Sequence, residues 1–200
     1  MTRIAPLTID QADATTAAVL KGVQAKFGML PNLVATLARA PAALNGYLQL
    51  AQAQGGGGLS ARQRELVALA VAQENACEYC LSAHAAAARG VGLTANDVDQ
   101  ARSGQAADAN DAAIVRLALQ VTRARGAVTD DDLAAARQAG VDDAAIVEVV
   151  ANVAINVFTN YLNRVADTVI DFPRLAPNLV AECSAPDGRA VRGGHWSTRP

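Results

Sequence analysis

The sequence predicts an all-α protein. Strand signals are almost absent, alanine and leucine recur throughout, and segment after segment opens on a capping side chain and closes on glycine. Phe27-Gly28-Met29-Leu30-Pro31-Asn32 is interrupted by glycine and proline, so it predicts a loop ahead of a helix near Leu33 to Ala40, with another after Pro41. Gly55 to Gly58 predicts a flexible hinge. Ser60-Ala61-Arg62-Gln63 has the spacing of a capping box and should start a helix that runs to about Gln73. Asn75 is the expected cap of the next helix, with Glu78 in its first turn and Gly90 at its end. Thr94 with Asp97 predicts a short helix, Ala107 to Arg125 a longer one closed by Gly126, and Thr129 with Asp132 a further start. A long helix from about Asp142 to Thr168 follows.

Two hundred residues suit one domain with a full hydrophobic core. The expected division is a helical domain over residues 1–175 and a polar tail over residues 176–200, because the end of the chain is rich in Gly, Pro, Ser and Arg. Hydrophobic residues make up 52% and charged residues 18%, so apolar surface is left over for a second subunit, and a homo-oligomer is expected. A formal net charge of -2 lacks the basic footprint that a phosphate backbone requires, which argues against nucleic acid as a partner. The N-terminus has no continuous apolar stretch, and the densest apolar run, Leu66 to Ala72, is far below the roughly 20 residues that span a bilayer. No membrane partner and a cytoplasmic location are expected. Three cysteines, two of them in Cys77-Glu78-Tyr79-Cys80 and one distant at Cys183, do not form a secreted disulfide framework.

Shifting the sequence by 48 positions lays Leu66, Leu69 and Val71 on Ile114, Leu117 and Leu119, and Gly92 on Gly140. A helical unit thus occurs twice. Under the same shift Glu65, Cys77, Cys80 and His84 meet Ala113, Arg125, Val128 and Asp132. The second copy keeps the scaffold and lacks the reactive residues, so the architecture does not require them.

On a helix, Cys77, Cys80 and His84 stand at i, i+3 and i+7, on one face, and cysteines three apart can form a disulfide. A helix N-terminus lowers a thiol pKa, and a neighbouring histidine can stabilise the thiolate or relay its proton. Glu65 lies twelve positions before Cys77, on the preceding helix, where its carboxylate could point at the dithiol. Zinc is the competing use of these residues, with Glu65, Cys183 or His195 as a fourth ligand, but three ligands within eight residues of one helix strain a tetrahedron. Tyr79 reads as packing. Asn152, Asn156, Asn160 and Asn163 form a polar stripe along the long helix, the usual mark of hydrogen bonding between helices. His195 and Trp196 read as incidental or as a subunit anchor.

Glu65, then Cys77-x-x-Cys80, then His84 resembles the signature of the AhpD-like alkylhydroperoxidase branch of the carboxymuconolactone decarboxylase superfamily. The loop Phe27 to Asn32, the pair Ala40-Pro41, and Asn160-x-x-Asn163 ahead of Ile170-Asp171-Phe172-Pro173 extend the likeness over roughly residues 20 to 175. The resemblance implies an AhpD-like helical domain, assembly into trimers or hexamers, and reduction of a hydroperoxide by a thiol that a dithiol donor, dihydrolipoamide-like or thioredoxin-like, restores. It implies that peroxide attacks Cys80, that Cys77 resolves the sulfenic acid as a disulfide, and that Glu65 and His84 relay the proton. No metal, flavin or nicotinamide is expected, and no Gly-rich nucleotide fingerprint follows a strand. Two other functions stay open. Lactone decarboxylation is the superfamily's other activity, though it has no need of a dithiol, and a non-enzymatic redox sensor would oxidise once and stop.

Overall fold

Seven consecutive apolar residues, Leu66 to Ala72, decide where the centre of the molecule lies. A helix apolar on every side has no face to give to water and must be enclosed. The structure, a computed structural model describing residues 2–178, encloses it. In chain order the helices are α1 (Ala14–Phe27), α2 (Asn32–Leu37), α3 (Pro41–Gly55), α4 (Ala61–Glu74), α5 (Glu78–Ala88), α6 (Ala95–Arg102), α7 (Ala109–Ala124), α8 (Asp130–Gln138) and α9 (Asp143–Ala166), and no strand occurs among the described residues. All seven residues of the α4 run are buried, and α5, α6, α7 and α9 pack around that helix. At about 1.5–3 kcal/mol for each fully buried Leu or Val, this one helix is a major source of hydrophobic stabilisation.

Three of the helix starts read from the sequence are capped as expected. Ser60 accepts the Gln63 amide at 3.1 Å while the Gln63 side chain accepts the Ser60 amide at 2.9 Å. Thr94 with Asp97 and Thr129 with Asp132 form the same reciprocal pair. Arg62 joins three helices by holding Asp97 of α6 at 3.1 Å and Asp111 of α7 at 3.2 Å.

The internal repeat is present in the helix starts. α4 and α7 begin 48 residues apart, at Ala61 and Ala109, as do α6 and α9 at Ala95 and Asp143. Gly92 and Gly140 both take the left-handed backbone, at φ 78° and 83°. The copies diverge between those points, where Cys77 caps a helix and its counterpart Arg125 ends one with a left-handed φ of 54°.

The long helix α9 has the length and mean hydropathy, 1.4 over its most apolar window, to cross a bilayer, yet it is a core helix. Asn152, Asn156, Asn160 and Asn163 are buried against the other helices together with Val149 and Val153. Its opposite side leaves Val147, Val150, Phe158, Tyr161 and Val165 exposed along its length.

Two segments far apart in sequence close one end. The Asp171 carboxylate accepts the Asn32 amide at 2.6 Å and the Asn32 side chain donates to the Val169 carbonyl at 2.9 Å. Asp171 thus supplies the cap that Pro31, at the start of α2, cannot. Residues 176–178, assigned from sequence to the tail, are held as well: Arg102 donates to the Ala176 carbonyl and the Asn178 side chain at 2.7 and 2.8 Å. Cys183, His195 and Trp196 lie outside the described residues.

The glycine run is a correction to the sequence reading, since it is tied down rather than a free hinge. Glu148 of α9 accepts the amides of Gly58 and Leu59 at 2.7 and 2.8 Å, and these bonds hold its carboxyl below the usual range. The close approach needs glycine at residue 57, where a Cβ would stand 2.6 Å from a Glu148 oxygen. Both Glu148→Ala and Gly57→Ala are therefore expected to lower unfolding stability by about 1 kcal/mol in urea titrations at pH 7. A lowered carboxylate pKa contributes stability above its unfolded value of about 4.3 and loses it as pH falls through the folded one, so the Glu148→Ala deficit should fade below about pH 4. Gly46→Ala, whose Cβ meets nothing within the α3 helix, is expected to gain about 0.5–1 kcal/mol.

Candidate active site

A local reversal of the chain places the first thiol. α4 ends at Asn75, Ala76 takes a left-handed φ of 49°, and the chain re-enters a helix at Glu78 with Cys77 as its cap. The cap expected at Asn75 is thus supplied by sulfur, since Asn75 closes α4 and turns its side-chain amide to Asn160 at 2.9 Å. Cys77 Sγ accepts the Cys80 amide at 3.4 Å. The helix also runs past Gly90 through a 3₁₀ turn, Arg89–Val91, and closes on Gly92.

Both cysteines are free and buried, and their sulfurs stand 2.6 Å apart. That separation is closer than the roughly 3.7 Å between two thiolates on one tetrahedral zinc with Zn–S near 2.3 Å. Among the described residues no cluster of three or more His, Cys, Asp or Glu side chains is arranged to hold a metal.

The two thiols differ in kind. The hydrogen bond with Cys80 lowers the Cys77 thiol, and against the opposing cost of burial the Cys80 amide and the charges of His84 and Arg164 keep it below its ordinary value. Burial pushes the Cys80 thiol well above its ordinary value, and the bond and charge of Cys77 add to that. The amides of Asn163 and Asn160 act against the rise, with Asn163 Nδ2 at 3.3 Å from Cys80 Sγ.

His84 and Glu65 meet across α5 and α4. Nδ1 of His84 stands 2.8 Å from the Glu65 carboxylate, both side chains about a quarter exposed. A neutral imidazole that donates Nδ1–H to Glu65 keeps Nε2 as a free acceptor, the state of a general base. Burial lowers the His84 pKa, but the Glu65 charge and hydrogen bond and the Cys77 charge outweigh it, and the net shift is upward. Glu65, His84 and Cys80 line one cavity of about 190 Å³, joined there by Tyr47 of α3 and Asn152, Asn156 and Thr159 of α9. That cavity shares Tyr47, Ala51, Glu65 and His84 with a larger groove of about 990 Å³ against α1 and α3.

The structure thus brings together all four residues singled out by sequence. Tyr79, read as packing, sets its ring edge-on to Phe172 at 5.8 Å and its hydroxyl accepts the Leu33 amide at 3.0 Å. Sequence reasoning missed Tyr47, for which no local signal exists. It noticed the asparagine stripe and read it as hydrogen bonding between helices; the stripe's inner edge is part of the site, since Asn163 touches Cys80 and Asn152 and Asn156 line the cavity.

Fold and site together define an all-helical protein of AhpD-like architecture with a buried pair of cysteines at its candidate site. Residues 39–124 match the carboxymuconolactone decarboxylase family, a span from the end of α2 to the end of α7 that holds all four site residues. Among solved structures, the chain is similar to the alkylhydroperoxidase AhpD core of an uncharacterized peroxidase-related protein from Ralstonia eutropha JMP134, with 24% identity, a TM-score of 0.78, and coverage of 85% of this chain and 92% of that one. A peroxidase-related protein from Silicibacter sp. TM1040 has 25% identity and a TM-score of 0.73 over 83% of this chain and 91% of its own. The debrominase Bmp8 in complex with 2,3,4-tribromopyrrole shares the fold at 20% identity, with a TM-score of 0.72 over 86% and 92%. No curated protein matches the chain. Residues 39–124 are thus similar to the carboxymuconolactone decarboxylase family, and the chain shares the helical fold of AhpD-core proteins.

A raised histidine pKa stabilises the fold where the ring is charged, fully below the unfolded value of about 6.5, and that contribution is lost as pH rises through the folded pKa. In NMR titrations, His84 is therefore expected to titrate above 6.5, and Glu65→Gln to move its midpoint downward. The stability lost in Glu65→Gln should be larger at pH 5.5 than at pH 9. An unmoved midpoint contradicts the pairing.

Proposed function

We propose that this protein is a thiol-dependent peroxidase that reduces an organic hydroperoxide with the Cys77–Cys80 dithiol. The observation that carries this reading is the position of the Glu65–His84 pair on the cavity that Cys80 lines, next to a thiol whose burial makes it unable to ionise readily by itself. His84 Nε2, held in its accepting form by Glu65, removes the Cys80 proton. The thiolate attacks the terminal peroxide oxygen, the O–O bond breaks, and the alkoxide leaves as alcohol after taking that proton, so Cys80 becomes a sulfenic acid. Cys77, the more acidic thiol, then attacks the Cys80 sulfur, hydroxide leaves as water, and the disulfide closes. A dithiol donor restores the pair.

The exposed stripe of Val147, Val150, Phe158, Tyr161 and Val165 supports a homo-oligomer formed through α9, with a trimer or hexamer as the family-based expectation. A reducing compartment, the cytoplasm, suits two free cysteines in contact.

The test is turnover with cumene hydroperoxide and excess dihydrolipoamide. Sustained turnover is expected, with Cys80→Ser inactive and Cys77→Ser halting after one sulfenic acid. Glu65→Gln should cost about 10²–10⁴-fold at neutral pH, and the deficit should shrink at alkaline pH as solvent supplies thiolate without help. A single oxidation that then stops would make the protein a redox sensor. Oxidation by a bromopyrrole and not by the hydroperoxide would make it a reductive dehalogenase.

A further inference from the structure

The two sulfurs open on different spaces. Cys80 lines the cavity it shares with Glu65 and His84, and Cys77 is absent from that lining. Cys77 lines a second groove of about 600 Å³ between the start of α5 and the end of α9, and Cys80 is absent from this one. Resting on the dithiol redox reading above, we propose that this second groove is the binding site of the reducing dithiol, which attacks Cys77 while the oxidant is handled at Cys80.

Thiol–disulfide exchange passes through three sulfurs nearly in line, so the attacking sulfur must arrive on the side of its target opposite the leaving sulfur. A donor in the second groove meets Cys77 and not Cys80, and a donor in the first cavity meets Cys80 and not Cys77. The second groove is built for a polar ligand. Thr168 and Asn163, both more than nine-tenths buried, stand in its wall, and beneath the wall surface their hydroxyl and amide oxygen have no protein partner. Two such atoms cost free energy unless a ligand or water meets them. Arg164 and Arg174 share the groove wall with the carboxylates of Glu78 and Asp167, Arg174 lying 3.7 Å from Glu78, so the wall is polar and balanced in charge and suits an uncharged polar ligand. The ligand class is thus a dithiol carrying a hydrogen-bonding group, such as an amide, near its sulfurs.

Electrons balance in two exchanges. The first donor thiolate bonds to Cys77 Sγ, the Cys77–Cys80 bond breaks, and its electron pair goes to Cys80, which takes a proton from His84. The donor's second thiolate then attacks the donor sulfur of the mixed disulfide and expels Cys77. Cys77 leaves well because its place at the helix cap and the nearby Arg164 favour the thiolate. The products are the protein dithiol and the donor disulfide.

The experiment avoids peroxide, so its outcome is independent of the peroxidase reading. The full chain is oxidised with diamide to the disulfide, mixed with 2-mercaptoethanol, quenched in acid, and the adduct located by fragmenting the peptide that contains both cysteines. The adduct is expected on Cys77, and an adduct on Cys80 overturns the proposal. As a second reading, Val169→Trp fills the groove from a position 60% exposed and so is tolerated by the fold. It should slow re-reduction of the diamide-oxidised protein by dithiothreitol about tenfold or more while diamide oxidises the reduced variant at the wild-type rate. Ala51→Trp, in the first cavity, should leave re-reduction unchanged. Wild-type re-reduction in Val169→Trp, or slowing in Ala51→Trp instead, rejects the site. If diamide forms the disulfide and cumene hydroperoxide does not, the peroxidase reading fails and this test still gives its answer.

Discussion

The burial of one thiol governs the rest of the structure. Cys80 must sit against the apolar wall of α4 to share its cavity with Glu65 and His84, and that burial opposes the charged form that any nucleophile needs. The neighbouring groups answer this one cost. Asn163 turns its amide toward the sulfur, Cys77 stands in contact with its own thiol pKa lowered, and His84 pairs with Glu65 on the same cavity. On the proposed function, enclosure and assistance belong together: a thiol that is neutral at rest resists stray oxidation and becomes reactive where the relay reaches it.

The internal repeat separates what the fold requires from what the chemistry requires. Both copies cap their helix starts with a side chain, Ser60 and Thr94 in the first and Asp108 and Asp142 in the second, and both use the same glycine turn and an apolar helix pair. Only the first turns back into a helix immediately after its left-handed residue, which lets a sulfur occupy the cap; the second starts its helix at Asp130, after Arg125 and Gly126 have both taken positive φ. Glu65 meets a buried alanine, Ala113, in the second copy. A carboxylate at that depth has no structural need behind it.

Local signals made much of this legible. Capping boxes at Ser60, Thr94 and Thr129 and the apolar run of α4 are nearest-neighbour effects, and helices follow from them directly. The reactive set was legible because Cys77, Cys80 and His84 share one helix and Glu65 lies just before an apolar run. What was not legible depends on contacts across the fold. Nothing near Gly57 in sequence announces Glu148, nothing near Pro31 announces Asp171, and Tyr47 joins the site only because α3 packs on α9. Asn75 looked like a helix cap because its residue type favours one, and it lost that place to Cys77 when Ala76 took a positive φ.

The division of labour within the dithiol is the centre of the account. Its most direct measurement is a pH titration of the reduced, unmutated protein labelled with ¹³C at cysteine Cβ, which reports each thiol by its own resonance. The account predicts that Cys77 ionises first, below the ordinary thiol value of about 8.5, and Cys80 only well above it. If Cys80 ionises first, burial is not the constraint that shapes this site, and the role assigned to the Glu65–His84 pair is contradicted.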